Sequence, residues 1–277
     1  MTINCHGNLI NLDEPKILGI LNLTPDSFYD GGKLKNEQDI VTKVEKMLFD
    51  GADFIDLGGY SSRPGAVDIS EEEEINRVAP IVTLLKNKFP SILISIDTFR
   101  SNVAKVCLDN GAAIINDISA GNLDENILKT VAKYKVPYIM MHMKGTPQSM
   151  KSLTEYKNIT QEVIFYFSEK IAQARVLGIN DIIIDAGFGF SKNTEQNFEL
   201  LNNLKLLKVL DTPILTGISR KSMIYKTLNS SAIEALNGTS ALHMIALQKG
   251  SKILRVHDVK EAKECILLHQ ALSKFDN

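Results

Sequence analysis

Eight short apolar runs recur along the chain, each followed by a loop and then a longer amphipathic stretch. They are ILGILNL (17–23), FIDLGG (54–59), ILISIDT (92–98), AIINDIS (113–119), YIMMHM (138–143), IIIDAGF (182–188), ILTGIS (214–219) and ILRVHD (253–258). Most are rich in Ile, Leu and Val without polar alternation, which is how parallel strands buried on both faces read. The stretches between them carry helical periodicity, clearest over 155–177, where Val163, Phe167, Ile171, Ala174 and Leu177 fall on one face before Gly178. Ile40, Val44, Met47 and Leu48 precede Gly51 in the same way, and Val103, Val106 and Cys107 precede Gly111, glycine being suited to closing a helix. Strand then helix, eight times, predicts a (β/α)8 TIM barrel of the α/β class. The barrel proper spans about 16–275, after a short N-terminal segment, within one domain over 1–277. A doubly wound open sheet shares the alternation and is the second architecture compatible with it.

The runs end in polar groups. In order these are Asn22, then Ser61, Ser62 and Arg63 just past the second run, Asp97, Asn116, His142, Asp185, Ser219, and Arg255 with His257. Polar side chains in buried strands are costly unless satisfied, and the C-terminal mouth of a barrel is where ligands satisfy them. Closure of the barrel would set the eighth strand beside the first, bringing Asn22 near Arg255 and His257 where phosphate groups often bind. The competing structural reading pairs Arg255 with a local carboxylate such as Asp258. Asp97, Asn116 and Asp185 form a second group suited to a flat heterocycle that presents an amino group beside a ring N–H, since a carboxylate accepts two parallel N–H bonds. Its structural alternative pairs the carboxylates with Lys221 or Arg220; the directions of Asp56 and Asp117 stay open. Two long loops, Thr24 to Asn36 and Tyr60 to Ser70, suggest lids, and Glu71 to Glu74 suit the first turn of a helix.

Composition narrows the function classes. The 277 residues include 31 Lys+Arg and 33 Asp+Glu, a formal net charge of −2, which argues against a protein whose main work is gripping nucleic acid or an anionic membrane. Cys5, Cys107 and Cys265 are odd in number and widely spaced, indicating neither a disulfide framework nor a zinc cage. The first residues lack a basic stretch followed by an apolar one, and no run approaches the roughly 20 apolar residues of a membrane span, so the expected location is the cytoplasm. No GxxxxGK[ST], GxGxxG after a strand, HExxH or GxSxG is present.

In its ordered motifs the chain resembles the dihydropteroate synthase family over nearly its whole length. These are GILNLTPDSFYDGG (19–32), GGYSSRPGA (58–66), SIDT (95–98), IINDIS (114–119), MMHMKGTP (140–147), IIDAGFGF (183–190), GISRKSM (217–223) and RVHD (255–258). The resemblance implies a transferase of folate biosynthesis, joining 4-aminobenzoate to 6-hydroxymethyl-7,8-dihydropterin diphosphate with release of diphosphate. It places Asp97, Asn116, Met140, Asp185 and Lys221 on the pterin, and Asn22, Arg63, Arg255 and His257 on the diphosphate. Mg²⁺ would sit on Asn22 and phosphate oxygens. Ser62, Pro64, Phe190, Lys221 and Ser222 would form the aminobenzoate pocket, where sulfonamides compete. Asn22, Arg63, Lys221, Arg255 and His257 are then the catalytic set, and a homodimer is expected. Three positions depart from the family pattern: Tyr60 where many members have Glu, Ser62 for Thr and Ala186 for Pro. Two other functions could use such a barrel, a corrinoid-linked pterin methyltransferase and a non-catalytic pterin-binding paralogue. The combination of SRKS (219–222), RVHD and the TPDSF segment argues against the first, and the intact Asn22, Arg63, Lys221, Arg255 and His257 against the second.

Overall fold

The computed structural model describes residues 1–23, 37–62 and 67–275. All eight apolar runs form strands: β3 (Lys16–Asn22), β4 (Phe54–Gly58), β5 (Ile94–Asp97), β6 (Ile114–Asp117), β7 (Tyr138–Met141), β8 (Ile182–Asp185), β9 (Ile214–Thr216) and β10 (Ser251–Val256). They close into a parallel barrel. The pairing of β10 with β3, from Ile253 opposite Lys16 to Val256 opposite Gly19, makes the closure and excludes the open sheet. Helices α1 (Glu37–Phe49), α2 (Glu71–Lys88), α3 (Ser101–Asp109), α4 (Asn126–Tyr134), α5 (Ile159–Val176), α6 (Thr194–Asn202), α7 (Ser222–Thr227), α8 (Leu236–Gln248) and α9 (Val259–Ser273) lie between and after the strands.

Local chemistry sets the helix ends. The Asn158 side chain accepts from the Gln161 N–H at 3.0 Å and starts α5 three residues inside the patterned stretch, and Gly178, with φ 84°, follows its end. Ser70 caps α2 by accepting from the Glu73 N–H at 3.1 Å. Of the acidic run after it, Glu74 is the exception to a solvated first turn: it is buried and ion-paired to Arg100 at 2.9 Å.

Residues paired across parallel strands point to the same side of the sheet, so register separates the two faces. Leu18, Phe54, Ile114, Ile139, Ile183, Leu215 and Ile253 fill the bottom of the barrel. One level up, Asn22 pairs with Gly58, Gly58 with Asp97 and Asp97 with Asn116. The outward residues, among them Leu21, Ile55, Ile96, Ile115 and Ile184, form the larger core against the helices.

The N-terminal segment is a hairpin of β1 (Thr2–Cys5) and β2 (Asn8–Asn11). Its turn, His6 and Gly7, has positive φ at both positions (50° and 86°), as a two-residue hairpin turn requires. Ile3, Cys5 and Leu12 pack into the apolar bottom layer and stopper the barrel. Leu12 is fully buried there, so Leu12→Ala is expected to cost about 2–5 kcal/mol, read as a lowered urea midpoint with unchanged slope.

Candidate active site

Above the apolar layer the inward positions turn polar. Arg255, two residues after inward Ile253, donates from Nε to Asp56 Oδ2 and from Nη2 to Asp97 Oδ2, both at 2.6 Å. Asn116 donates from Nδ2 to the same Asp56 oxygen at 3.0 Å. Asp56 Oδ1 is buried without a hydrogen-bond partner. An unpaired buried acceptor is costly, and an N–H of a ligand in the mouth would satisfy it. The basic and acidic groups expected to be separate are therefore joined through Arg255. Asp258 is occupied elsewhere, accepting two bonds from the Arg220 guanidinium at 2.8 and 2.9 Å.

Burial sets the protonation of this cluster. It pushes the Asp97 carboxyl up to about 7 against the pull of Arg255. The Asp185 carboxyl is raised for the same reason, with Lys221 opposing. Lys221 is pushed down to about 8 by burial, Asp185 pulling the other way. Burial also works against the charge of Arg255, but the adjoining Asp56 and Asp97 hold its guanidinium above the usual arginine value.

The mouth opens into a cavity of about 450 Å³, lined by Asn22, Ser62, Asp97, Phe190, Lys221, Ser222, Arg255 and His257 among others. Asn116 and Asp185 lie beneath it: Asn116 beside Asp97 in register, and Asp185 with Oδ2 3.6 Å from where a side chain on Gly217 would begin. Lys221 donates to the Phe188 carbonyl and lies 4.7 Å from the centre of the Phe190 ring. Arg63 and Pro64, and the whole loop from Thr24 to Asn36, fall outside the described residues.

Two sequence expectations need correction. Met140 pairs with Asp117 and packs among the outward residues, whereas Met141 pairs with Asp185 and joins Ile118, Met143, Met150 and Phe190 near the mouth. Met141 therefore takes the inward place expected of Met140. His142, expected in the lining, is buried between barrel and α5, with its ring 4.8 Å from Tyr166 and 6.4 Å from Phe167. The sequence reading also left Asp56 open, though it lies two residues beyond inward Phe54. Asp117 is accounted for locally, accepting from the Ser119 and Gly121 N–H groups and the Tyr138 hydroxyl.

Tyr60 gives the departing position a new set of contacts. Its hydroxyl accepts from Gln148 Nε2 at 3.0 Å, and its ring packs edge-on to Phe99 and lies 5.3 Å from the Arg100 guanidinium. Arg100 in turn holds Glu74 and the Ile69 carbonyl, so the described ends of the second loop are tied to α2 and to the segment after β7.

Among the described residues no three His, Cys, Asp or Glu side chains cluster as a metal cage. Asn22 nevertheless offers one hard amide oxygen on the cavity wall. A single such donor suits a hard divalent cation that keeps waters and binds substrate phosphates rather than needing an all-protein cage. No described helix is long and apolar enough to cross a membrane.

The chain as a whole is similar to known proteins. The family model described as pterin binding enzyme matches residues 18–257. Dihydropteroate synthase of Haemophilus influenzae is 39% identical over 273 residues, 98% of each chain. That of Escherichia coli is 40% identical over 280 residues, covering 100% of this chain and 99% of the relative. Among solved structures, Yersinia pestis dihydropteroate synthase in a sulfonamide drug complex superposes with a TM-score of 0.95 at 37% identity, covering 99% of this chain and all of the other. The Xanthomonas albilineans enzyme with 4-aminobenzoic acid gives 0.90 at 36% identity, covering 98% of each.

Proposed function

This chain belongs to the pterin-binding enzyme family and has the activity of the dihydropteroate synthases, a transferase step of folate biosynthesis; from that premise we propose how its own residues carry the reaction. The substrates are 4-aminobenzoate and 6-hydroxymethyl-7,8-dihydropterin diphosphate, and the products dihydropteroate and diphosphate. Asp97, Asn116 and Asp185 read the edge of the pterin, with Lys221 beside them and Met141 packing on the ring in place of Met140. Asp56 joins this group. The observation that carries the reading is its unpaired Oδ1, buried beside Arg255 and Asn116 beneath a cavity of about 450 Å³ that Arg255 and Asp97 line.

Asn22, Arg63, Arg255 and His257 bind the diphosphate, where preorganised positive charge stabilises the leaving group as the C–O bond breaks. Asn22 would hold a Mg²⁺ ion, which would supply charge neutralisation for the leaving diphosphate. The arylamine is neutral at pH 7 and attacks the methylene carbon from a pocket of Ser62, Pro64, Phe190, Lys221 and Ser222, giving up its proton after the bond has formed. Electron donation from the dihydropterin ring favours a cation-like transition state, so no strong base precedes attack. Sulfonamides compete in the arylamine pocket.

A single barrel domain over 1–277 accounts for the activity. Cytoplasmic location is supported by three buried, unpaired cysteines. Exposed Leu267, Leu268 and Leu272 of α9 support a homodimer.

The test mixes protein, Mg²⁺ and both substrates. Diphosphate release that depends on 4-aminobenzoate and stops with EDTA is expected; release without the arylamine, or none, contradicts the proposal. A pH dependence should accompany it. The carboxylate form of Asp97 accepts the pterin N–H groups, and its pKa in the free protein is about 7, so affinity is full above that pH and falls as pH drops through it. The dissociation constant of the dihydropterin diphosphate should rise by up to about tenfold per pH unit below 7, and Asp97→Asn should flatten the profile while weakening binding. A titration between about pH 5.5 and 8 reads both.

A further inference from the structure

Lys192 has no part in the chemistry above, yet it is only 8% exposed and puts an amine into the protein beside the arylamine pocket. Its Nζ lies 2.9 Å from the Gly187 carbonyl oxygen, 3.0 Å from that of Phe190, 3.3 Å from that of His142 and 2.9 Å from His142 Nδ1. An ammonium group has three N–H donors, and these four acceptors surround it.

The backbone is shaped to make the cage. Gly187, Gly189 and Ser191 all have positive φ (69°, 81° and 44°), which curls residues 187–191 until the carbonyls at both ends of the turn converge. A Cβ on Gly187 would lie 2.1 Å from the His142 carbonyl oxygen, so the turn is pressed against the end of β7 and only glycine fits. Asn197 ties the outer side, accepting from the Gly189 N–H at 2.7 Å and donating to the Lys192 carbonyl at 3.3 Å.

Two residues of this turn, Gly189 and Phe190, line the cavity. Phe188 supplies the carbonyl that accepts from Lys221, and the Phe190 ring faces both the cavity and the Lys221 amine. A side chain on Gly189 would begin 3.2 Å from Lys221 Cδ. The position of Lys221 and of the Phe190 ring is therefore set by the conformation of this turn.

We propose that Lys192 is a positioning residue for 4-aminobenzoate: by drawing the Gly187, Phe190 and His142 carbonyls around one ammonium it fixes the Phe190 ring and Lys221 as the wall of the arylamine pocket. The substrate named rests on the function proposed above. Burial pushes the amine well below the usual lysine value, with Asp185 opposing, and hydrogen bonds to the surrounding acceptors favour its protonated form. Without it, the His142 and Phe190 carbonyls would lose the ammonium they accept from and the Gly187 carbonyl would keep only the Phe190 N–H, so the turn would open.

Lys192→Met keeps the length and removes every donor. It should raise KM for 4-aminobenzoate by roughly tenfold or more, as small misplacements at a reacting centre do, and leave the dissociation constant of the dihydropterin diphosphate within about twofold. Amide hydrogen exchange over residues 187–191 should quicken with it. Lys192→Ala, prepared in n-propylammonium chloride, should recover low KM in proportion to the added amine, and lose it again in tetramethylammonium chloride, whose cation has no N–H. A purely structural lysine would change expression or melting without this split and without amine dependence. Unchanged KM and unchanged exchange in an active Lys192→Met enzyme would overturn the role of Lys192, as would equal weakening of both substrates. Should Lys192→Met not fold, amine-independent KM in Lys192→Ala would overturn it. A wild-type protein that makes no dihydropteroate would instead overturn the activity, and with it the substrate assigned to this pocket.

Discussion

Arg255→Met is expected to lower kcat/KM by about 10³ or more and to destabilise the fold by about 3–5 kcal/mol, the cost of stripping a buried ionic cluster of its cation. Arg255 bonds Asp56 and Asp97 at 2.6 Å each. Methionine fills its space but leaves two carboxylates facing each other. The loss should depend on pH. Burial already raises Asp97 to about 7 against the pull of Arg255, so its folded-state pKa lies above the unfolded value. The stability linked to that shift is fully present below about pH 4 and is lost as pH rises through about 7. Removing the guanidinium raises the folded pKa further, which deepens the loss at high pH and relieves it at low pH. Urea unfolding of both proteins at about pH 5 and pH 8 should show the gap between them widening with pH; a gap independent of pH would mean that the cation does not hold this cluster.

Asp185→Asn should be the opposite kind of change, with about a 10²–10⁴-fold fall in kcat/KM at little cost in stability. Asp185 Oδ1 accepts the Gly187 N–H at 2.8 Å, while its other oxygen lies toward the mouth at Gly217. A carboxylate presents an acceptor in both directions. An amide must turn its NH2 either toward the Gly187 N–H or toward the pterin, and a donor facing a donor loses the bond in either case. Since burial disfavours the charge of Asp185, the neutral amide should unfold at a urea concentration equal to or above that of the parent. Loss of pterin affinity with an unchanged unfolding midpoint is the expected pair of results, and a variant that binds pterin normally would remove Asp185 from the site.

Much of this was legible in the sequence, and the exceptions have physical causes. The barrel could be read because eight runs, most of them rich in Ile, Leu and Val without polar alternation, each end in a polar residue, whereas closure rather than an open sheet is decided by the pairing of β10 with β3. That same lack of alternation hid which face each residue takes. Of two adjacent methionines only register shows that Met141 faces the mouth, and His142 carries a ring that packs as well in the outer core as in a site. Asp56 was ambiguous for the same reason, although the two-residue step from Phe54 marks its face once the bottom layer is known. The hairpin is too short, at four residues a strand, for a periodic signal, although Ile3 and Cys5 do alternate inward. Lys192 reads as a surface lysine in a loop; its burial comes from the glycine turn that folds back over it.

The most direct test of the central claim, that this mouth reads a pterin through Asp56, Asp97, Asn116 and Asp185, is a crystal structure of the protein soaked with 6-hydroxymethyl-7,8-dihydropterin diphosphate alone. The account predicts the ring's amino and N–H edge within about 3 Å of those side chains, Asp56 Oδ1 now paired and the diphosphate beside Asn22 and His257. A ring bound elsewhere, or bound in the mouth with Asp56 and Asp185 making no contact to it, would contradict the account.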